Sequence, residues 1–433
     1  MHTAFFDRFF NGQIRGIAVA AATLAVSTLP AGASGFALKA IHVFCKQAGC
    51  PDGGQPLSGL IMDKAGVLYG TANVGGKFEA GLIYSLTPQR GTYQRRTIYD
   101  FCLHTNCTDG SYPYADLVQD VDGNFYGTTG FGGAQGGGVV FRLSPKKRGW
   151  AYTVLYAFCS QANCTDGENS STRLSYAGQI DGKRWDRTSP LFGTTYAGGA
   201  NGHGVSFELT RNGSQWNYAV IHDQQNTNYP NPVLVGPDGT LFVTTFSGAA
   251  NGYGNFYMLK KDTWEQTIIH AFCPGGDGCV DGANPTGTLS VDGKGNVFGV
   301  ALSGGAYGHG VAFEHPVSGG FSVIYDFCTL NGCLDGDFPN NLSQGPDSNS
   351  FYGTAGGGKN QMGVVFKLAH RHGKWSESVV KAFCPNGICK AGSFPSSSLV
   401  QDSLGNVFGT TYFAFGSDCN GADSCLTAFE LKK

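Results

Sequence analysis

The chain has 433 residues and a formal net charge of −2; 14% of its residues are charged, 41% are apolar and 67 are glycine. Charge at about half the usual density excludes a charged disordered tail as the main body, and glycine at about twice its usual share calls for many tight turns. No basic run exceeds Pro145-Lys146-Lys147-Arg148, so a nucleic-acid partner, which wants a basic face, is not expected.

In chain order, Arg8 and Arg15 precede an apolar stretch from Gly16 to Leu29, then Pro30 and the small residues Ala31-Gly32-Ala33. This pattern reads as a secretory signal over residues 1–33, with an apolar core too short for a permanent span. An uncleaved N-terminal anchor is the competing reading. No second apolar segment follows, so residues 34–433 are expected as one soluble domain, secreted or periplasmic in a bacterium, with no membrane partner after cleavage. The oligomeric state is left open.

From there a motif pair returns seven times, about 55 residues apart. Its first half is aromatic-Gly-Thr: Tyr69-Gly70-Thr71, Tyr126-Gly127-Thr128, Phe192-Gly193-Thr194, Tyr352-Gly353-Thr354 and Phe408-Gly409-Thr410, with variants Phe242-Val243-Thr244 and Phe298-Gly299-Val300. Its second half follows a glycine loop and ends in an aromatic, as in Gly81 to Tyr84 and Gly138 to Phe141; the seventh copy, Leu426 to Phe429, is degenerate. One unit reads as four strands: Asp116 to Gln119, Phe125 to Gly130, Val139 to Leu143 and Trp150 to Phe158. Asp122-Gly123-Asn124 is the first hairpin turn.

Seven such units without helical periodicity predict an all-β, seven-bladed β-propeller. Phe36 to Cys45 matches a fourth strand, while the last unit, Ser396 to Leu431, supplies three. The N-terminal strand is therefore expected to close the ring and remove its open edge. A β-solenoid is disfavoured, because its coils are shorter and its ends need caps.

The fourteen cysteines fall into seven close pairs: Cys45/Cys50, Cys102/Cys107, Cys159/Cys164, Cys273/Cys279, Cys328/Cys333, Cys384/Cys389 and Cys419/Cys425. In an exported chain this spacing predicts local disulfides, each worth about 2 kcal/mol. Thiolate metal sites compete, but each pair lacks a second pair or paired histidines nearby in sequence.

Units of the form Asp-Gly-Asn-aromatic-Tyr-Gly-Thr-Thr, Gly-Gly, Gly-Val-Val-Phe, clearest at Asn124 to Phe141 and Asn406 to Thr411, resemble the GloVer (gloeo–verruco) tandem repeats of secreted bacterial proteins. The resemblance covers the mature chain. It implies export and a repeat architecture, and it brings no catalytic residues. Relatives often end in a sorting or anchoring segment, and none is expected here.

Functional candidates lie where the repeat is broken. The loop between strands two and three should share a rim with the link between blades. Before the last glycine of three successive loops stand His203, Tyr253 and His309, which suit general acid–base work; as exposed tips or packing residues they need no function. After blade three, Ile221-His222-Asp223-Gln224 replaces the Phe-Cys of other links, so His222 and Asp223 are expected beside a groove unless the staple was simply dispensable. Tyr112, Tyr229, Phe338 and Phe394, each before a proline, should ring the channel mouth as sugar platforms or as filling.

Asp-Gly recurs at Asp52, Asp109, Asp166, Asp281 and Asp335. Calcium is possible there, but turn capping accounts for these carboxylates more simply, so no cofactor and no metal are expected. Trp150, Trp216, Trp264 and Trp375 read as packing. Trp185, in an insertion with Lys183, Arg184 and Arg187, is a candidate partner contact on the other rim. Binding of an extracellular ligand, foremost a glycan, leads; a carbohydrate-active enzyme such as a polysaccharide lyase is the alternative, and a structural surface role a third.

Overall fold

The computed structural model describes residues 35–413 and 426–433, apart from 180–182, 250, 346, 348 and 388. The expected signal segment and the Cys419/Cys425 pair lie outside these residues. Seven antiparallel sheets stand in a ring as the seven-bladed β-propeller. Blade two is representative: Val118–Gln119, Phe125–Thr128, Val139–Pro145 and Trp150–Ala157 pair in that order from axis to edge. In blade three the innermost position is held by the Ser175–Phe192 bridge beside Leu191–Thr194, Val205–Asn212 and Gln215–Asp223. In blade seven, Ala37–Phe44 pairs antiparallel with Leu426–Lys432, which pairs with Val407–Phe413.

The motif's two halves are bound by sterics. Gly127 lies opposite Phe141 in the register, and a Cβ there would come within 2.7 Å of the Phe141 ring. The same holds for Gly193 with Phe207 at 2.5 Å and Gly353 with Phe366 at 2.2 Å. Glycine is thus required because the facing aromatic lies across its strand.

The threonine ties blades together. Thr71 Oγ1 donates to Ala115 O at 3.2 Å, Thr128 Oγ1 to Thr172 O at 3.0 Å and Thr410 Oγ1 to Ser58 O at 3.1 Å. Each bond runs from the second strand of one blade to the segment leading into the innermost strand of the next, the last from blade seven to blade one.

The seams are packed by edge-to-face aromatics. The phenylalanine ending each outer strand meets the third-strand aromatic of the following blade. Phe44 meets Tyr84 at 4.9 Å, Phe101 meets Phe141 at 5.4 Å and Phe158 meets Phe207 at 5.3 Å. Phe272 with Phe313, Phe327 with Phe366 and Phe383 with Phe429 continue the series at 5.0–5.4 Å. All of these rings are buried, and such pairs add about 0.5–1.5 kcal/mol beyond their burial.

The seam between blades three and four departs from the series. Gln224 takes the phenylalanine's place, its N–H bonded to Gly204 O as Phe158 N–H is to Gly138 O. Its amide donates to Tyr257 Oη at 2.6 Å and accepts from Thr227 Oγ1 at 3.0 Å. Val243 stands opposite Tyr257 where other blades have glycine.

Candidate functional site

In a four-stranded antiparallel blade, the loop between strands two and three and the link to the next blade leave from the same end. That rim carries every disulfide loop described. Six pairs are bonded: Cys45–Cys50, Cys102–Cys107, Cys159–Cys164, Cys273–Cys279, Cys328–Cys333 and Cys384–Cys389. His309 lies near Cys328 and Cys333, and Glu168 near Cys159 and Cys164, but a bonded sulfur is no thiolate ligand.

The repeated Asp-Gly carboxylates cap these loops. Asp166 accepts from Ser160 N at 2.9 Å, Gln161 N at 3.2 Å and Tyr156 Oη at 2.6 Å. Asp109 and Asp335 hold their loops and Tyr99 or Tyr325 in the same way. In two further seams a histidine replaces the tyrosine, His42 on Asp52 at 3.0 Å and His270 on Asp281 at 2.7 Å. These carboxylates are engaged by amides, hydroxyls and imidazoles of their own seam.

Where each link turns into the next innermost strand, the backbone takes left-handed values at one position per blade. These are Gln55, Tyr112, Asn169, Tyr229, Asn284, Phe338 and Phe394, with φ between 46° and 60°. Six of the seven precede a proline. At Tyr112, Asn169, Asn284, Phe338 and Phe394 this backbone makes a latch between blades. Tyr112 N donates to Ala80 O at 2.8 Å, Asn284 N to Tyr253 O at 2.9 Å, Phe338 N to His309 O at 2.8 Å and Phe394 N to Met362 O at 2.8 Å. The latch needs only backbone, and glycine would meet it without strain. A bulky aromatic held left-handed costs on the order of 1–3 kcal/mol.

The side chains at this ring alternate amide and aromatic through its first five positions, then end on two phenylalanines. Tyr112 is 36% exposed and meets Phe131, 39% exposed, edge-to-face at 5.8 Å. Tyr229 meets Tyr196 in the same way at 5.8 Å. Gln55 accepts from Asn73 Nδ2 at 3.1 Å, and Asn284 bonds Phe246 O and Ser303 Oγ, each at 3.0 Å. Below this mouth, polar side chains cross between innermost strands, as where Asp116 accepts from Gly59 N and Ser398 Oγ.

His203, Tyr253 and His309 each sit in a different seam, and the carbonyls of Tyr253 and His309 receive the next blade's latch. His203 Nδ1 lies 2.6 Å from Asn228 Oδ1. His309 Nδ1 lies 3.8 Å from Asp337 Oδ2, and its ring 5.5 Å from Phe338. Burial, with Asp335 nearby, pushes the Asp337 carboxyl up to about 6. Tyr253 packs partly buried against the core of blades four and five.

Asp223 caps the preceding loop: its carboxylate accepts from Ala200 N at 2.6 Å, as Asp326 does from Ala306 N. Gln224 fills the seam, and burial lowers the pKa of the neighbouring His222. Trp185 is no surface contact. It is 1% exposed, packed on Tyr126 at 5.0 Å, with Nε1 donating to Ser189 O. Beside it, Arg187 pairs with Asp122 at 2.6 Å. Sequence reasoning missed Phe131, Tyr196 and the three amides of the ring; Gln55-Pro56 and Asn284-Pro285 carried the same X-Pro signal as the aromatics.

The sequence matches the Gloeobacter/Verrucomicrobia repeat over residues 31–184 and 179–422. The chain belongs to this repeat family. No curated protein matches it. Among solved structures, a provisionally assigned 6-phosphogluconolactonase from Bacteroides fragilis is 14% identical, with a TM-score of 0.51, over 86% of this chain and 94% of that one. A counterpart from Bacteroides uniformis gives 14%, 0.48, 86% and 95%. A provisionally assigned oxidoreductase (glucose dehydrogenase) from Thermus thermophilus gives 15%, 0.44, 74% and 96%. At these identities the B. fragilis likeness speaks to the fold alone.

Proposed function

We propose that this repeat propeller is an exported binding protein that holds an uncharged glycan across the mouth of its ring. The observation that carries the reading is the choice of side chain at the left-handed positions. Glycine would take the backbone there without strain, yet Tyr112, Tyr229, Phe338 and Phe394 are present. Strain kept at a ring of aromatics favours a use for the rings themselves. Aromatic faces alternating with the amides of Gln55, Asn169 and Asn284 suit sugars, which offer apolar C–H faces rimmed by hydroxyls.

Charge supports a neutral ligand. The seven mouth positions carry no charged residue, so they offer a polyuronate or sulfated chain no cation of their own. The six disulfides fit an extracellular protein. The test is an affinity screen of neutral and acidic polysaccharides. Retention by neutral glycans supports the proposal; retention by acidic ones alone defeats it.

One observation favours catalysis as a second reading, the approach of His309 to Asp337 beside Phe338. A histidine with a carboxylate behind it can take a proton within about 3 Å. Replacing His309 with alanine should abolish any release of unsaturated products from a polysaccharide, read by ultraviolet absorbance. Binding without turnover leaves the first reading in place.

A further inference from the structure

The net charge of −2 conceals an uneven split between the two rims. Opposite the mouth, each blade presents two hairpins. The outer one, between strands three and four, carries Arg90 in blade one, Lys146, Lys147 and Arg148 in blade two, and Lys260 and Lys261 in blade four. Arg371 and Lys374 flank the turn of blade six, and Lys432 and Lys433 end blade seven. All of these are exposed. Asp262 and Glu265 are the acids among the outer turns. On the inner hairpins, carboxylates fold back on their own backbone: Asp63 accepts from Ala65 N and Val67 N, and Asp402 from Leu404 N and Asn406 N. Apart from the short run Lys146-Lys147-Arg148, nothing in the sequence marks this face, because the blades gather cations that are dispersed along the chain.

Apolar tips stand among these cations. Leu404 is 76% exposed, Val317 68% and Val121 55%, each at a turn of this rim, in blades seven, five and two. The polypeptide also enters the propeller here, since Ala37 begins the outermost strand opposite Lys432. Cations interspersed with protruding apolar tips match a lipid surface, whose anionic headgroups lie over acyl chains.

We propose that this rim docks peripherally on an anionic phospholipid surface, which leaves the mouth facing away from the membrane. No described helix is long and apolar enough to cross a bilayer, and a peripheral dock needs none. The expectation of no membrane partner rested on spanning segments and did not weigh this face.

The exported chain is pelleted with phosphatidylcholine vesicles prepared with or without phosphatidylglycerol. Binding is expected with phosphatidylglycerol and should weaken as salt rises. Each cation near such a surface is worth roughly fivefold, so Lys146→Gln, Lys147→Gln and Arg148→Gln together should weaken it on the order of a hundredfold. Leu404→Asp should weaken it separately. These residues are exposed, so the variants should unfold at the wild-type urea midpoint. Binding that is equal without phosphatidylglycerol, or unchanged in the triple variant, overturns the proposal. Equally tight binding to dextran sulfate, with Leu404→Asp without effect, would assign the face to a soluble polyanion and also overturn it.

Discussion

If aromatic pairs hold the seams, truncating one should cost far more than truncating an apolar residue at the blade's edge. Phe158 is fully buried and meets Phe207 of the next blade at 5.3 Å, with Tyr156 at 5.5 Å and Tyr218 at 5.9 Å. Phe158→Ala removes a whole ring from a site that neighbouring strands prevent from collapsing, so the expected loss is about 3–5 kcal/mol. The polar seam supplies the contrast. Gln224→Ala strips Tyr257 Oη and Thr227 Oγ1 of a buried partner, at about 1–3 kcal/mol. Val154, 37% exposed on an outer strand, should lose less than about 1 kcal/mol on truncation to alanine. Urea unfolding under oxidising conditions keeps the Cys159–Cys164 link intact and reads all three midpoints. A Phe158→Ala midpoint no lower than that of Val154→Ala would refute the seam argument.

Other outcomes follow from single features. Burial, with Asp335 nearby, pushes the Glu377 carboxyl from 4.5 up to about 8. Because the folded value is the higher one, its contribution is complete below pH 4.5 and is lost as pH rises through about 8. Glu377→Gln should therefore flatten the fall of Tm between those limits and raise Tm at the upper one; an unchanged profile contradicts this. Non-reducing peptide mapping should return the six described disulfides and Cys419–Cys425 as a seventh, and a bridge between blades would contradict the local pairing. A chain lacking residues 35–44 should unfold at lower urea and self-associate through the bared Leu426–Lys432 edge; an equally stable monomer would show that the pairing contributes nothing.

The architecture was legible because it is periodic. Gly127 and Phe141 recur as a pair since each repeat must solve the same clash, and Thr128 recurs because each blade must grip the next. The Asp-Gly carboxylates could be read as caps, since the turn they serve is local. Trp185 was misread because its partners, Tyr126 of the preceding blade and Trp216 on the outer strand of its own, lie far from it in sequence. The left-handed ring was half visible: X-Pro pointed to the aromatics, but X-Pro alone favours extended backbone. At five of the seven positions the positive φ goes with a bond to the preceding blade, which no local pattern encodes. The basic rim was hidden for the same reason: apart from Lys146-Lys147-Arg148, its cations are spread over blades.

The claim that the mouth aromatics are kept for ligand rather than for fold can be tested at two positions. Tyr112→Gly and Tyr229→Gly in one chain remove both rings while giving the backbone a residue at ease with φ of 56° and 58°. Titration calorimetry with the neutral glycan retained in the screen should show affinity falling about tenfold or more for each ring lost, with the urea midpoint equal to or above wild type. Affinity that survives both changes, or a midpoint that collapses with them, would contradict the account.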